Sequence, residues 1–296
     1  MSAQTAISLS MRLIVTLSMA VALLLSGLSI RADGATTSYT YDSLNRLTTA
    51  DYGNGSVINY TYDAAGNRTQ AGTQAFTYDE RNQQLTGADG TNTWTARGTL
   101  ATSTKNAVTT NYAYDGIGRM ITAGAASFTY DGLDRVHQRT EAANTNTFTY
   151  AGRESDPFAD GTNTYSRQGG RLLGVRNGAT NLAAGINALD DVTHLFNPAT
   201  ANVSDTKIFD PFGVPAGATG TTPNRIGYQS DWTDPTTSQV WMGARWYSPA
   251  NDLFTSRDTS SGALRNCRPQ PLHQRRQQPE LLFRPERPHR LRPRPC

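Results

Sequence analysis

The chain has 296 residues, room for one or two domains, and its negative mean hydropathy excludes a protein built of many membrane spans. The formal charge of +3 is uneven: residues 265–296 hold nine Arg against two Glu, a charge of +7, which leaves −4 on the rest. Both cysteines, Cys267 and Cys296, lie in that tail, so the body draws on no disulfide and no thiolate metal site.

In chain order, Arg12 precedes an apolar run over 13–30, LIVTLSMAVALLLSGLSI. A positive flank, an apolar segment and then small residues is the pattern of a secretory signal, with Ala32 or Ala35 as cleavage points. The run is also long enough to span a bilayer uncleaved. Residues 1–35 are therefore expected to be an export signal or an anchor, which makes the body secreted or surface-held. This segment is the only expected membrane contact.

A repeat follows. Tyr39-Thr40-Tyr41-Asp42 leads to Arg46, and Tyr60-Thr61-Tyr62-Asp63 leads to Arg68. Phe76-Thr77-Tyr78-Asp79 comes next, then Tyr112-Ala113-Tyr114-Asp115 with Arg119, Phe128-Thr129-Tyr130-Asp131 with Arg135, and Phe148-Thr149-Tyr150. A worn copy spans 93–97, with Ala96 taken as its fourth position. In a strand, side chains alternate, so the two aromatics share one face and the central Thr takes the other. The Asp opens a turn by accepting backbone N–H groups. An Arg four or five residues later is placed to pair with it. One unit cannot bury its own aromatic face and must stack on its neighbours.

This unit resembles the tyrosine–aspartate (YD) repeat of Rhs proteins, teneurins and the C components of insecticidal toxin complexes. The resemblance covers about 36–170. It implies a β-hairpin ribbon that spirals into a hollow shell around a C-terminal toxin or other cargo. The second half resembles the Rhs-associated core. Phe209-Asp210-Pro211-Phe212-Gly213 precedes a core motif carried by Tyr228, Asp234, Arg245, Tyr247, Pro249 and Phe254. Against that motif Ser230 and Ser238 stand for glycines, Ser248 for Asp, and Asn251-Asp252 for Gly-Arg.

The resemblance supplies one catalytic candidate, Arg257-Asp258, which in self-cleaving relatives supports aspartyl-type autoproteolysis with a second downstream Asp. No Asp follows Asp258 here, so an enzyme is not expected and an ion pair closing the core is the favoured role. The four histidines, His137, His194, His273 and His289, lack metal-ligand spacing, so no metal and no cofactor is expected. The basic tail carries one aromatic, Phe283, which disfavours nucleic-acid binding. Read one base out of phase, it permits the family's onward core sequence, which points to a frameshift.

The expected fold is all-β, divided as 1–35 signal or anchor, 36–170 YD ribbon forming an open, partial spiral, 171–262 core fragment, and 263–296 an Arg/Pro-rich disordered tail. About seven hairpins give a ribbon near 67 Å across, short of the roughly 105 Å girth of a ~100-residue cargo. The ribbon is thus expected to be a truncated, non-enclosing shell that leaves aromatic surface and strand edges exposed. The function expected is a structural shell or surface module of a toxin system, partnered by a cargo or another YD chain. A glycan-binding adhesin and an autoproteolytic core are the alternatives.

Overall fold

A computed structural model describes residues 36–257. The expected export segment, the tail and Asp258 lie outside the described residues. The described chain is an all-β meander of 24 short strands and one 3-10 turn. The strands form sheets of five, nine, six and four, over residues 38–75, 77–147, 164–219 and 232–254. In every sheet each strand pairs antiparallel with its neighbours in sequence, and none of the sheets closes on itself. This is the open hairpin ribbon that the repeats imply.

The first three sheets run into one another. Ala75 pairs with Gln70 in the first sheet and Thr77 with Thr86 in the second, while the Phe76 N–H donates to Thr69 O at 2.9 Å. Bridges Thr149–Ala159 and Ala159–Thr164 join the second sheet to the third. A boundary at 171 would therefore cut a hairpin, because Thr164–Gln168 pairs with Arg171–Asn177.

Local chemistry sets the hairpins. At Asp42, Asp63, Asp79, Asp115 and Asp131 the carboxylate accepts the backbone N–H four residues on, at 2.8–3.0 Å. The third residue after each Asp has positive φ: Asn45 at 57°, Gly66 at 91°, Asn82 at 59°, Gly118 at 92° and Asp134 at 62°. The ladder register slips at the Tyr before each Asp. A type I turn followed by a left-handed residue and a bulge is the three-residue hairpin loop that matches strand twist.

The worn copy follows the same plan, one residue earlier than its sequence suggests. Thr95, not Ala96, holds the Asp position: its hydroxyl accepts from the Thr99 N–H, and Gly98 N donates to Thr95 O. Two further copies of this turn, at Asn187 and Asp210, lie beyond the recognised repeats.

The two sheet faces divide as the alternation predicts. Thr pairs line the exposed face, hydroxyl to hydroxyl, among them Thr61–Thr69 at 2.8 Å, Thr77–Thr86 at 2.7 Å and Thr93–Thr102 at 2.7 Å. The first aromatic is buried in four units, with Tyr60 3% exposed and Phe76, Phe128 and Phe148 each 4%, and is partly buried at Tyr39 and Tyr112.

That burial overturns the expectation of an exposed aromatic surface. The fourth sheet lies on the aromatic face and brings three tryptophans to it. Ring centroids are 5.0 Å apart for Trp232 and Phe148, 4.8 Å for Trp246 and Phe128, and 5.8 Å for Trp241 and Tyr130. Edge-on and tilted contacts of this kind add to the area that aromatic side chains bury. The C-terminal sheet is a plug seated on the ribbon's apolar side. Among the described residues the strand Ser38–Tyr41 pairs on one edge only.

Candidate functional site

The described residues concentrate their polar chemistry in two places, a spine along the hairpin turns and the joint between plug and ribbon. In the spine, Arg46, Arg119 and Arg135 return to Asp42, Asp115 and Asp131 at 2.7, 2.6 and 2.7 Å. Each guanidinium then stacks on the Tyr of the next unit: Arg46 on Tyr62 and Arg119 on Tyr130, both at 4.8 Å, and Arg135 on Tyr150 at 4.1 Å. The Tyr hydroxyl in turn donates to the carbonyl just after that Arg. The bonds are Tyr62 to Leu47 O (2.8 Å), Tyr130 to Met120 O (2.6 Å) and Tyr150 to Val136 O (2.6 Å). Pair, stack and hydroxyl thus lock each unit to the next.

These contacts set the charge states. Hydrogen bonds from the Arg46 backbone, aided by its side chain, hold the Asp42 carboxyl below the ordinary range. At Asp115 and Asp131 partial burial acts upward, but the N–H groups of Arg119 and Arg135 outweigh it and the carboxyls are lowered. Asp63 is lowered as well, against its partial burial, by hydrogen bonds from Asn67.

Not every expected pair forms. Arg68 does not return to Asp63; Asn67 takes that place, its amide 2.7 Å from the carboxylate. A side chain one residue further along the strand points to the opposite face. Arg68 is accordingly buried, its guanidinium between the rings of Phe76 (4.6 Å) and Phe212 (4.1 Å). At Asp79 the fourth residue is Gln83, and the Tyr78 hydroxyl donates to Arg68 O at 2.9 Å. Tyr41, on the open edge strand, is 37% exposed.

Tyr114 departs from the pattern. Its hydroxyl donates to Thr255 O at 3.0 Å, and Leu100 N donates to the same oxygen at 2.8 Å. The end of the plug is therefore threaded into the spine. Beside it, where Thr95 and Thr99 replace the usual Asp and Arg, a cleft of about 170 Å³ opens against Tyr112 and Tyr114. Arg257 is exposed and lies against Gly98, a position where any Cβ would collide with it. Its proposed partner in chemistry, Asp258, falls outside the described residues.

The core-motif residues form the joint. Asp234, fully buried, caps its own turn through the N–H groups of Thr236 and Thr237, at 3.0 and 2.8 Å. It also pairs with Arg139 of the ribbon, which is 3% exposed. Arg139 reaches Glu141 and Thr236 as well, both at 2.7 Å. Nothing in the motif spacing marks Arg139; a basic residue at an inward-facing strand position was its one available signal. Tyr228 donates to Pro211 O at 3.1 Å, and Arg245 stacks on Phe254 at 3.8 Å. Pro249 is buried in the turn that Asp252 closes, its carbonyl accepting the Asp252 N–H at 3.3 Å.

The departures from the motif fall where glycine would be easiest. Ser230 and Ser238 have φ of 61° and 58°. Asp252, at 54°, rather than Asn251, occupies the glycine position of the last turn. Left-handed backbone at a residue with a Cβ is a local strain that surrounding contacts must sustain.

A ribbon of hairpins tied by Asp–Arg–Tyr contacts, with its aromatic side plugged by its own C-terminal sheet, defines a shell-type repeat protein. The chain belongs to the Teneurin YD-shell family, whose profile matches residues 25–275. It is 24% identical over 245 residues to the tRNA3(Ser)-specific nuclease WapA of Bacillus spizizenii, an alignment covering 78% of this chain and 10% of the nuclease. Among solved structures it is similar to TcdB2-TccC3 without its hypervariable C-terminal region, with TM-score 0.45 and 16% identity over 75% of this chain and 14% of that one. The Tc holotoxin pore of Photorhabdus luminescens gives TM-score 0.39 and 14% identity, covering 76% and 17% of the two chains. The chain thus spans a tenth to a sixth of the length of these relatives.

Proposed function

We propose that this protein is a structural wall module of a secreted, YD-shell toxin system, and that its C-terminal sheet serves as a plug on the inner face of the wall. The observation that carries the reading is the seating of Trp232, Trp241 and Trp246 on Phe148, Tyr130 and Phe128. That contact buries the apolar side and leaves the Thr-lined side to solvent. The partner this implies is a toxin cargo or a further YD chain, since the sheets here are open.

A glycan-binding role would draw on exposed aromatics in a groove. The three plug tryptophans are instead 2–4% exposed, and Trp94 is half-buried with its indole N–H on Gln84 O. Autoproteolysis would draw on Asp258 with a second carboxylate; Arg257, the described half of that motif, is exposed and lies against Gly98.

The test is protection of a passenger. A reporter enzyme fused downstream of residue 296 is digested with protease in whatever assembly the chain forms. Three samples are compared: reporter alone, the fusion, and the fusion carrying Trp246→Ala. Where copies of the open ribbon or a further YD chain close around the reporter, slower digestion in the fusion, lost with Trp246→Ala, is expected. Equal digestion rates in all three would overturn the reading.

A further inference from the structure

The outer face of the second sheet is paved with hydroxyls and holds no charge along its cross-strand rows. In register across its first five strands stand Thr77, Thr86, Thr91, Thr104 and Thr109. Across its last four stand Thr122, Ser127, Thr140 and Thr145. Shorter rows join Thr93 to Thr102 and Asn111, and Thr129 to Gln138 and Thr147. None of these positions is acidic or basic. The outward rows of the first and third sheets do include charge, at Asp51 and Arg176. The uncharged carpet therefore belongs to one sheet and not to the repeat as such.

Two further features make this face easy to remove from water. Its hydroxyls bond to one another, Thr77 with Thr86 at 2.7 Å, Thr104 with Thr109 at 2.9 Å and Thr140 with Thr145 at 3.1 Å. A polar group that already has a partner costs far less to bury than an unpaired one, and the Thr methyl groups are left to make apolar contact. The register slips at Tyr78 and Tyr114 each add one residue to the facing strand, Leu85 and Ile121. Both are large apolar side chains in the open, 41% and 37% exposed.

We propose that the outer face of the second sheet is an interface with a second copy of this chain, the two sheets packed face to face about a two-fold axis. In such an interface the same patch meets itself. A charged face would set like charges together, and this one has none to set. The extent is sufficient. Nine strands about 4.8 Å apart, each about five residues long, make a face of roughly 38 by 17 Å, or about 650 Å² on each copy. The pair would bury roughly 1,300 Å², within the range of about 1,200–2,000 Å² for specific interfaces. Strand twist is no obstacle, since two twisted sheets pack about 10 Å apart with their strands some 30° from parallel, roughly the angle of a β-sandwich. The contact uses the side of the ribbon away from the plug, so it stands independently of the wall reading above.

Sedimentation of the full chain between about 1 and 100 µM tests the proposal. A reversible dimer of micromolar affinity is expected, as suits an interface at the low end of the specific range. Thr102→Lys and Ser127→Lys each bring a charge up to its own copy across the axis, and each should weaken the dimer about tenfold or more. The two lie on different strand pairs and neither has a charged neighbour in its row, so circular dichroism and melting should stay as in the wild type. Asn181→Glu adds a charge to the outer face of the third sheet, opposite Arg176, and should leave the dimer intact. A wild-type chain that stays monomeric throughout would overturn the interface. Lysine variants that associate like the wild type, or that unfold, would do the same, as would an Asn181→Glu variant weakened as much as they are.

Discussion

Each turn residue in the spine does three things at once, and the weak unit makes that separable. Asp115 fixes its own loop, orients Arg119, and through it holds the Tyr130 ring of the next hairpin. At Thr95 and Thr99 the loop bond and a hydroxyl–hydroxyl bond of 2.8 Å replace the ion pair, and the volume that an Arg would fill is the cleft beside Tyr114. The double variant Thr95→Asp with Thr99→Arg should complete the spine. A gain of about 1 kcal/mol is expected, the sum of a partly exposed ion pair and a cation–aromatic stack. The single changes should be neutral or unfavourable, since each introduces half a pair. A double-mutant cycle by urea denaturation measures the coupling directly; a coupling energy of zero would mean that the cleft has a different origin.

At the scale of elements, the distinction between what the sequence exposes and what it conceals is one of contact distance along the chain. The aromatic-Thr-Tyr-Asp units are legible because the Asp caps and Asp–Arg pairs that set their turns lie within about five residues. That locality let the strands, the turns and the pairing of Arg46, Arg119 and Arg135 be anticipated. It also explains the slip at the worn copy, where Arg97 stands two residues after the turn residue and draws the register with it. The turn at Asp210 is legible from Phe209-Asp210-Pro211-Phe212-Gly213, whereas the one at Asn187 keeps the cap but lacks the Tyr and Arg that mark a unit. The plug was concealed for a stronger reason. Arg139 and Asp234 are 95 residues apart, and no local pattern records their pairing. Burial gives that pair its weight: one partner removed leaves the other's charge in an apolar joint. Arg139→Leu should therefore cost about 3–5 kcal/mol, and Arg139→Leu with Asp234→Asn distinctly less. Chemical denaturation followed by tryptophan emission checks both, and an equal loss in single and double variants would show that packing, not charge, holds the joint.

Across the whole molecule, two groups of carboxylates pull the pH dependence of stability in opposite directions. Asp42, Asp63, Asp115 and Asp131 in the spine and Glu141 at the joint are held low. Their contribution is present above the unfolded values of about 3.9 for Asp and 4.3 for Glu, and is lost as pH falls through the folded ones. Asp191, Asp210 and Asp252 are held high by burial. Their contribution is lost as pH rises, for Asp252 through about 6. The carboxylates held low thus favour folding above the acid range, while the buried ones held high favour it below neutrality. The two contributions overlap only around the unfolded carboxyl value, so global stability should peak at about pH 4, below the range usual for folded proteins. Urea midpoints taken from pH 3 to pH 8 would locate the maximum. A maximum at pH 7 or above would mean that the buried carboxylates are matched by charges other than Arg68. With the peak in the expected place, Asp252→Asn should flatten its alkaline side and leave the acid side, which belongs to the spine, unchanged.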